Sequence, residues 1–431
     1  MSLPFLFRRG ISSTLTRSYR PKKIPEELVV QATKPKRGRP KKIVNVDEGE
    51  PPKVRAPKRT VLSASSPSTP VYNPGNKLEL PPASEWRRIF PSSPAAVKDR
   101  ISIRNPETAA LIADSFVPAG SEGKVIIEAY PGPGALTRAL MQLPKERIRK
   151  IIVLEANEMY LDYLKPLEKA DSRVQVLSMA GFSWDTYHHL DTQGVLDDIE
   201  PIPWSDGVHP RLQFISHLPM SVLGEQLIAQ FFRCIPEQIW LFKYGRVPMS
   251  YIMHDWVWER LSAGTGPRDV NRCKLSVMTQ VAAHCEESID GSALLPYDDH
   301  FHPPVSNATN SIKPDNRRKG TPMVAINVTP LKRQLIEKGM LDKWDYCLRR
   351  LFVLKSTALK SAIGHLAPGA SVLTQQLMDQ SLPESQRMDT KKQIRRMSVE
   401  DWAAVVGAFD RWPFAPEDLL ISDSFSRDER L

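Results

Sequence analysis

The stretch VIIEAYPGPGALTRAL, Val125 to Leu140, decides the fold. Val125, Ile126 and Ile127 are consecutive apolar residues, the mark of a parallel strand buried on both faces. The run ends at Glu128. Pro131, Gly132, Pro133 and Gly134 then make a tight turn, and Ala135 to Leu143 reads as a helix. Strand, acid, glycine turn and helix together open a nucleotide-binding α/β fold. Ligands of such folds sit at the carboxyl ends of the strands, against a helix N-terminus. A second strand, IIVLE, ends at Glu155, about 20 residues beyond the turn, where a ribose-binding acid is expected.

Outward from this unit, strands are expected at Val174–Leu177, Leu212–Ser216 and Ile239–Phe242, with MVAINVTP, Met323–Pro330, as a late strand closing the sheet. Helical stretches lie between them. One of these, NPETAALIADSF from Asn105 to Phe116, precedes the glycine turn. The alternation predicts an α/β protein with a doubly wound parallel sheet. Asp185–Arg211 is polar with several Pro and Gly and reads as a surface insertion, and Ser306–Thr321 as another. From Leu331 the strand signals stop. DYCLRRLFVLKSTALKSAIGHL and SVEDWAAVVGAFDRW have helical period, so 331–431 is expected to be a small helical C-terminal domain behind an α/β domain at 84–330.

The chain has 431 residues, 41% hydrophobic and 25% charged, ordinary values for a globular protein. No apolar run approaches the ~20 residues of a membrane-spanning helix. The net charge of +10 is unevenly placed: residues 1–60 hold 16 of the 59 Lys/Arg and only 5 of the 49 Asp/Glu. A basic arm on a nearly neutral body suits a polyanion-binding tail or a targeting signal. Cys234, Cys273, Cys285 and Cys347 have neither metal nor redox spacing, so reduced thiols and no metal site are expected.

Residues 1–20 carry Arg8, Arg9, Arg17 and Arg20, several Ser and Thr, and no acid. Leu3, Phe5, Leu6, Phe7, Ile11 and Leu15 can share a helical face opposite the arginines, the pattern of a mitochondrial transit peptide. Residues 21–83 are rich in Pro, Lys, Arg and Ser, and are expected to be a disordered basic linker. Within it lies KPKRGRPKK, 34–42, whose centre resembles an AT-hook. Arg37 and Arg39 can reach along a narrow A·T-rich minor groove, flanked by Lys36 and Lys41. Gly38 lets the backbone lie close to the groove floor, and Pro40 keeps it extended.

The turn itself is not G-x-G-x-x-G. Its form, E-x-x-P-G-x-G-x-L-T, resembles the first motif of the rRNA adenine dimethyltransferases, and more closely that of their offshoot, the mitochondrial transcription factors B. The resemblance continues in order through ERLSAGTG at Glu259, LSVMTQ at Leu275, FHPP at Phe301 and the helix with Arg349 and Arg350, covering roughly residues 84 to 423. It implies a Rossmann-like methyltransferase domain with S-adenosylmethionine as cofactor. The cofactor would be held by Asn105 at the start of the first helix, Glu128, the glycine turn with Gly132 and Gly134, and Glu155 on the ribose. It also implies a target-base motif of the form N-L-P-Y after the fourth strand and a second stacking aromatic at Phe301.

The match is partial. Tyr130 stands at the family's first glycine, and Ala180 stands where an Asp would hold the cofactor's adenine, with Asp185 the next acid along. The base motif reads SHLPMS, in which Pro219 stands but His217 replaces Asn and Met220 replaces the aromatic residue. A neutral imidazole lacks the amide's geometry, and Met is a weaker platform for a base than Tyr. Poor orientation costs orders of magnitude in rate, so these departures argue against methyl transfer. The resemblance then implies a transcription initiation factor of the mitochondrial matrix. Its partners would be the mitochondrial RNA polymerase and promoter DNA, both single-stranded non-template and A·T-rich duplex. The alternative is an active mitochondrial rRNA adenine N6,N6-dimethyltransferase, with ribosomal RNA as the partner.

Overall fold

The computed structural model describes residues 73, 75–305, 320–379 and 388–419. The transit-peptide reading, the AT-hook segment and residues 306–319 of the second expected insertion lie outside the described residues.

Seven strands form one sheet. They are β1 (Lys124–Ala129), β2 (Ile148–Leu154), β3 (Val174–Leu177), β4 (Leu212–His217), β5 (Met249–His254), β6 (Ala283–Glu287) and β7 (Met323–Pro330). Their order is β3-β2-β1-β4-β5-β7-β6. The first five are parallel, and β7 runs antiparallel between β5 and β6. β1 is central, which explains its unbroken apolar run. Val125, Ile127 and Ala129 join one core layer and Ile126 joins the layer on the other face. The order reverses at β1 and β4, and ligands of open α/β sheets bind at such a switch point.

Helices α1 (Pro106–Phe116), α2 (Ala135–Gln142) and α3 (Glu158–Ala170) supply buried residues to the layer containing Ile126. The other layer takes α4 (Trp184–Thr192), α5 (Val222–Glu237) and α6 (Asp255–Ser262). Caps set several starts. The Asn105 side chain accepts from the N–H groups of Glu107 and Thr108 at the head of α1, with Pro106 in the first turn. Gly134 begins α2 with φ +86°, and a Cβ there would meet Leu164 Cδ2 at 2.5 Å. Both its conformation and its surroundings require glycine.

Four expectations are corrected. Ile239–Phe242 is not a strand: Trp240–Tyr244 is a 3-10 helix, entered through Gln238 and Trp240 at φ 53° and 59°. The fifth strand is instead Met249–His254. Asp185–Arg211 is not merely a surface insertion, because α4 and the loop after it bury Tyr187, Leu190, Leu196 and Ile199 against the sheet. Met323–Pro330 does not close the sheet, since Ala283–Glu287 lies outside it at the edge. The linker ends before residue 83: Arg138 donates to the carbonyls of Lys77 and Leu78, and Lys77 Nζ donates to Tyr163 Oη at 3.1 Å.

After β7 the described chain is helical, chiefly α8 (Leu341–Phe352) and α9 (Val399–Asp410), around a third core. Helix α7 (Lys274–Ala282) lends Val277, Met278 and Val281 to that core, so residues ahead of 331 also build it. Among the described residues no helix is long and apolar enough to cross a membrane.

Candidate functional site

The carboxyl ends of β1, β2 and β4 meet a segment that precedes the sheet. This strap runs from Trp86 to Ile103. Trp86 is buried and its Nε1 donates to the Pro81 carbonyl at 2.8 Å. The Phe90 carbonyl and His302 Nε2 lie 2.8 Å apart. At the far end Ser102 and Ile103 pair antiparallel with His302 and Phe301. The strap crosses the glycine turn, where a Cβ on Gly132 (φ +63°) would meet Ser102 Oγ at 2.2 Å.

Arg100, on this strap, is the side chain that sequence reasoning missed. Its Nη2 lies 2.6 Å from Glu155 Oε2 and its Nη1 3.3 Å from Oε1, and both side chains are buried. Glu155 Oε1 also accepts from the N–H groups of Ala156 and Asn157 at 3.0 and 2.9 Å. The guanidinium lies over the Tyr130 ring at 4.1 Å and 5.3 Å from the Tyr160 ring. Tyr130 has φ 60°, a left-handed backbone that favours glycine. Stacking of its ring on Phe182 at 4.2 Å and on Arg100 offsets that strain.

The other sequence-predicted residues are placed as follows. Glu128 is fully buried beneath the turn. Its Oε2 accepts from Thr137 Oγ1 at 2.7 Å, while Oε1 has no hydrogen-bond partner. Burial pushes its carboxyl up to about 7, against the Thr137 bond. Gly132 and Gly134 form the turn, Asn105 is the α1 cap, and Ala180 lines a cavity with Tyr130 and Glu155. His217 is buried, and burial with the charge of Arg100 lowers its pKa to about 3, so the ring is neutral. Its Nε2 has no partner. The Pro219 carbonyl accepts from Ser221 N at 2.9 Å, and Met220 N donates to the Asp99 carbonyl at 2.7 Å. Met220 and Phe301 are both buried in the core layer beneath the strap. The structure therefore brings Tyr130, Glu155 and Ala180 together around one cavity, while Met220 and Phe301 are core residues.

Arg100 and Tyr130 crowd the position on Glu155 that the resemblance gives to a cofactor's ribose. Glu155 Oε1 is filled by Arg100 and two backbone N–H groups, and Oε2 accepts from Arg100. The Tyr130 ring stands beside the guanidinium, and the remaining cavity is about 150 Å³, whereas sites for drug-sized ligands span roughly 300–1,000 Å³. No metal-holding cluster of His, Cys, Asp and Glu occurs among the described residues.

Comparison with known proteins adds a family. The sequence model described as ribosomal RNA adenine dimethylase matches residues 102–407. Mitochondrial transcription factor 1 of Lachancea kluyveri is 23% identical over 303 residues, which cover 68% of this chain and 82% of the relative. The protein of the same name from Saccharomyces cerevisiae is 22% identical over 299 residues, with the same shares. Dimethyladenosine transferase 1, mitochondrial, of Vermamoeba vermiformis is 23% identical over 342 residues, 71% of this chain and 88% of the relative. Among solved structures, a dimethyladenosine transferase from Plasmodium falciparum is similar over 72% of this chain and 97% of its own, at 13% identity and TM-score 0.45.

Proposed function

The chain belongs to the ribosomal RNA adenine dimethylase family, and on that premise we propose that it is a transcription initiation factor of the mitochondrial matrix that no longer transfers methyl groups. The observation that carries this reading is the cofactor acid, Glu155, held by the chain's own Arg100. The transcription factors among its relatives, matched over 82% of their length, support the same direction. Its partners are the mitochondrial RNA polymerase and promoter DNA. A body derived from a base-flipping enzyme suits the trapping of an unpaired non-template strand, because it descends from one that received an unstacked base.

The test is a reconstituted initiation assay run beside a methylation assay. With a single-subunit mitochondrial RNA polymerase and a promoter template, the protein is expected to support opening of the start site. On an adenine-rich hairpin of small-subunit rRNA with labelled S-adenosylmethionine, it is expected to give no dimethyladenosine. Robust turnover without promoter opening would replace this reading with that of an active dimethyltransferase. Glu128, Glu155 and Pro219, retained from the family's site, are what such an outcome would draw on.

The basic arm has two proposed roles that can be separated. Residues 1–30 fused to a fluorescent reporter are expected to carry it into mitochondria, and a cytosolic reporter would remove the matrix assignment. Lys36 to Lys41 contribute DNA affinity rather than start-site choice. Removing residues 21–60, or changing Arg37 and Arg39 to Ala, is expected to weaken binding to A·T-rich duplex. Each lost phosphate contact flattens the slope of log affinity against log salt by about 0.9. Promoter opening at low salt is expected to survive the truncation, because melting is assigned to the folded body.

A further inference from the structure

We propose that Arg100 is the residue that excludes nucleoside ligands of the S-adenosylmethionine class from this fold, by occupying the ribose-binding position on Glu155. The proposal deepens the reading above, since it takes this cleft to be the family's cofactor position.

Three observations carry it. The first is occupancy: Arg100 bonds both carboxylate oxygens of Glu155, and the N–H groups of Ala156 and Asn157 complete Oε1. Only Oε2 keeps an unused lone pair, beside the guanidinium that already holds it. The second is anchoring. Arg100 belongs to a strap tied on both sides of it, by the buried Trp86 ring and the Phe90 carbonyl to His302, by Asp99 to Met220, and by Ser102 and Ile103 to the Phe301 ladder. Withdrawing the guanidinium means moving that strap or bending a side chain held against Tyr130 and Tyr160. The third is charge. The methyl donor carries a sulfonium, so it would also meet the guanidinium's positive charge. Tyr130 and Ala180 reduce the ligand's contacts, whereas Arg100 occupies its place.

The experiment measures binding of S-adenosylhomocysteine, the unreactive product form, to the purified full-length protein by titration calorimetry. Thermal melting with and without ligand serves as a second readout. Wild type and Tyr130→Gly are expected to show no saturable binding at millimolar ligand. Arg100→Ala is expected to gain saturable binding, at least tenfold tighter than any wild-type signal, and a ligand-dependent rise in melting temperature. Arg100→Ala with Tyr130→Gly is expected to bind more tightly again. If Arg100→Ala does not fold, Arg100→Met takes its place, because it keeps the packing of the stem without a donor for Glu155. Saturable binding by wild type overturns the proposal. So does a gain in Tyr130→Gly alone, or a folded Arg100 variant that stays inert. The initiation assay separates the two readings: binding by a wild type that still opens promoters refutes the role of Arg100 alone. Failure to open promoters with the predicted binding pattern intact refutes only the transcription reading.

Discussion

Replacing Arg100 with alanine is expected to lower folding stability by about 3–5 kcal/mol, the usual loss when one partner of a buried ion pair is removed. Both side chains are shielded, at 8% and 3% exposure, so solvent does not screen the pair. Without Arg100, Glu155 keeps two backbone N–H donors but loses its counter-charge in a site closed by the strap. The Arg100 guanidinium also stops covering the Tyr130 ring. Adding Glu155→Gln removes the stranded charge, so the double variant is expected to recover part of the loss. Coupling of about 0.5–3 kcal/mol is typical for residues in contact. Urea denaturation of wild type, the two single variants and the double variant completes the cycle. Strictly additive losses would mean that the pair contributes nothing beyond its separate side chains.

The same pair shows where sequence reading stopped. Strands β1 to β4 and β7 were legible because they are short stretches rich in Val, Ile, Leu and Phe set between helical or turn-forming segments. β5 was missed for a physical reason. MSYIMH contains Ser250 and His254, both buried, while the more apolar IWLF next to it is bent into a 3-10 turn by two left-handed residues. β6 reads AHCEE, a short strand with exposed charges that suits an edge and gives no hydrophobic signal. Helix α4 was hidden by its polar composition, although Thr186, Tyr187 and Leu190 are its buried face. In the site, Glu128, Gly132, Gly134 and Glu155 were visible because a glycine turn fixes their spacing. Arg100 was not, because it lies on a separate segment and meets Glu155 only through tertiary folding.

Changing Glu128 to glutamine is expected to stabilise the protein at pH 8 by roughly 3–4 kcal/mol and to do little at pH 4. The carboxyl sits on β1 with one oxygen bonded to Thr137 and the other without a partner. Burial is the largest influence and lifts its folded pKa to about 7, opposed by the Thr137 bond and the charge of Arg138, and aided by that of Glu155. In the unfolded chain the value is about 4.3. A folded pKa above the unfolded one means that the native state holds the proton more tightly. Its contribution is fully present below pH 4.3 and is lost as pH rises to 7, beyond which the loss is constant. The gap between about 4.3 and about 7, at 1.36 kcal/mol per unit, gives the magnitude. Glutamine resembles the protonated acid, and its side-chain oxygen can still accept from Thr137, so the variant escapes the loss at high pH without gaining at low pH. Urea midpoints of both proteins at pH 4, 6 and 8 test this, and a stability difference that does not grow with pH would rule it out. The carboxylate weakens the fold at this point, so any reason for it lies outside stability. Promoter opening by Glu128→Gln then decides whether that reason is still in use: an unchanged rate would leave the acid as inheritance from the methyltransferase site.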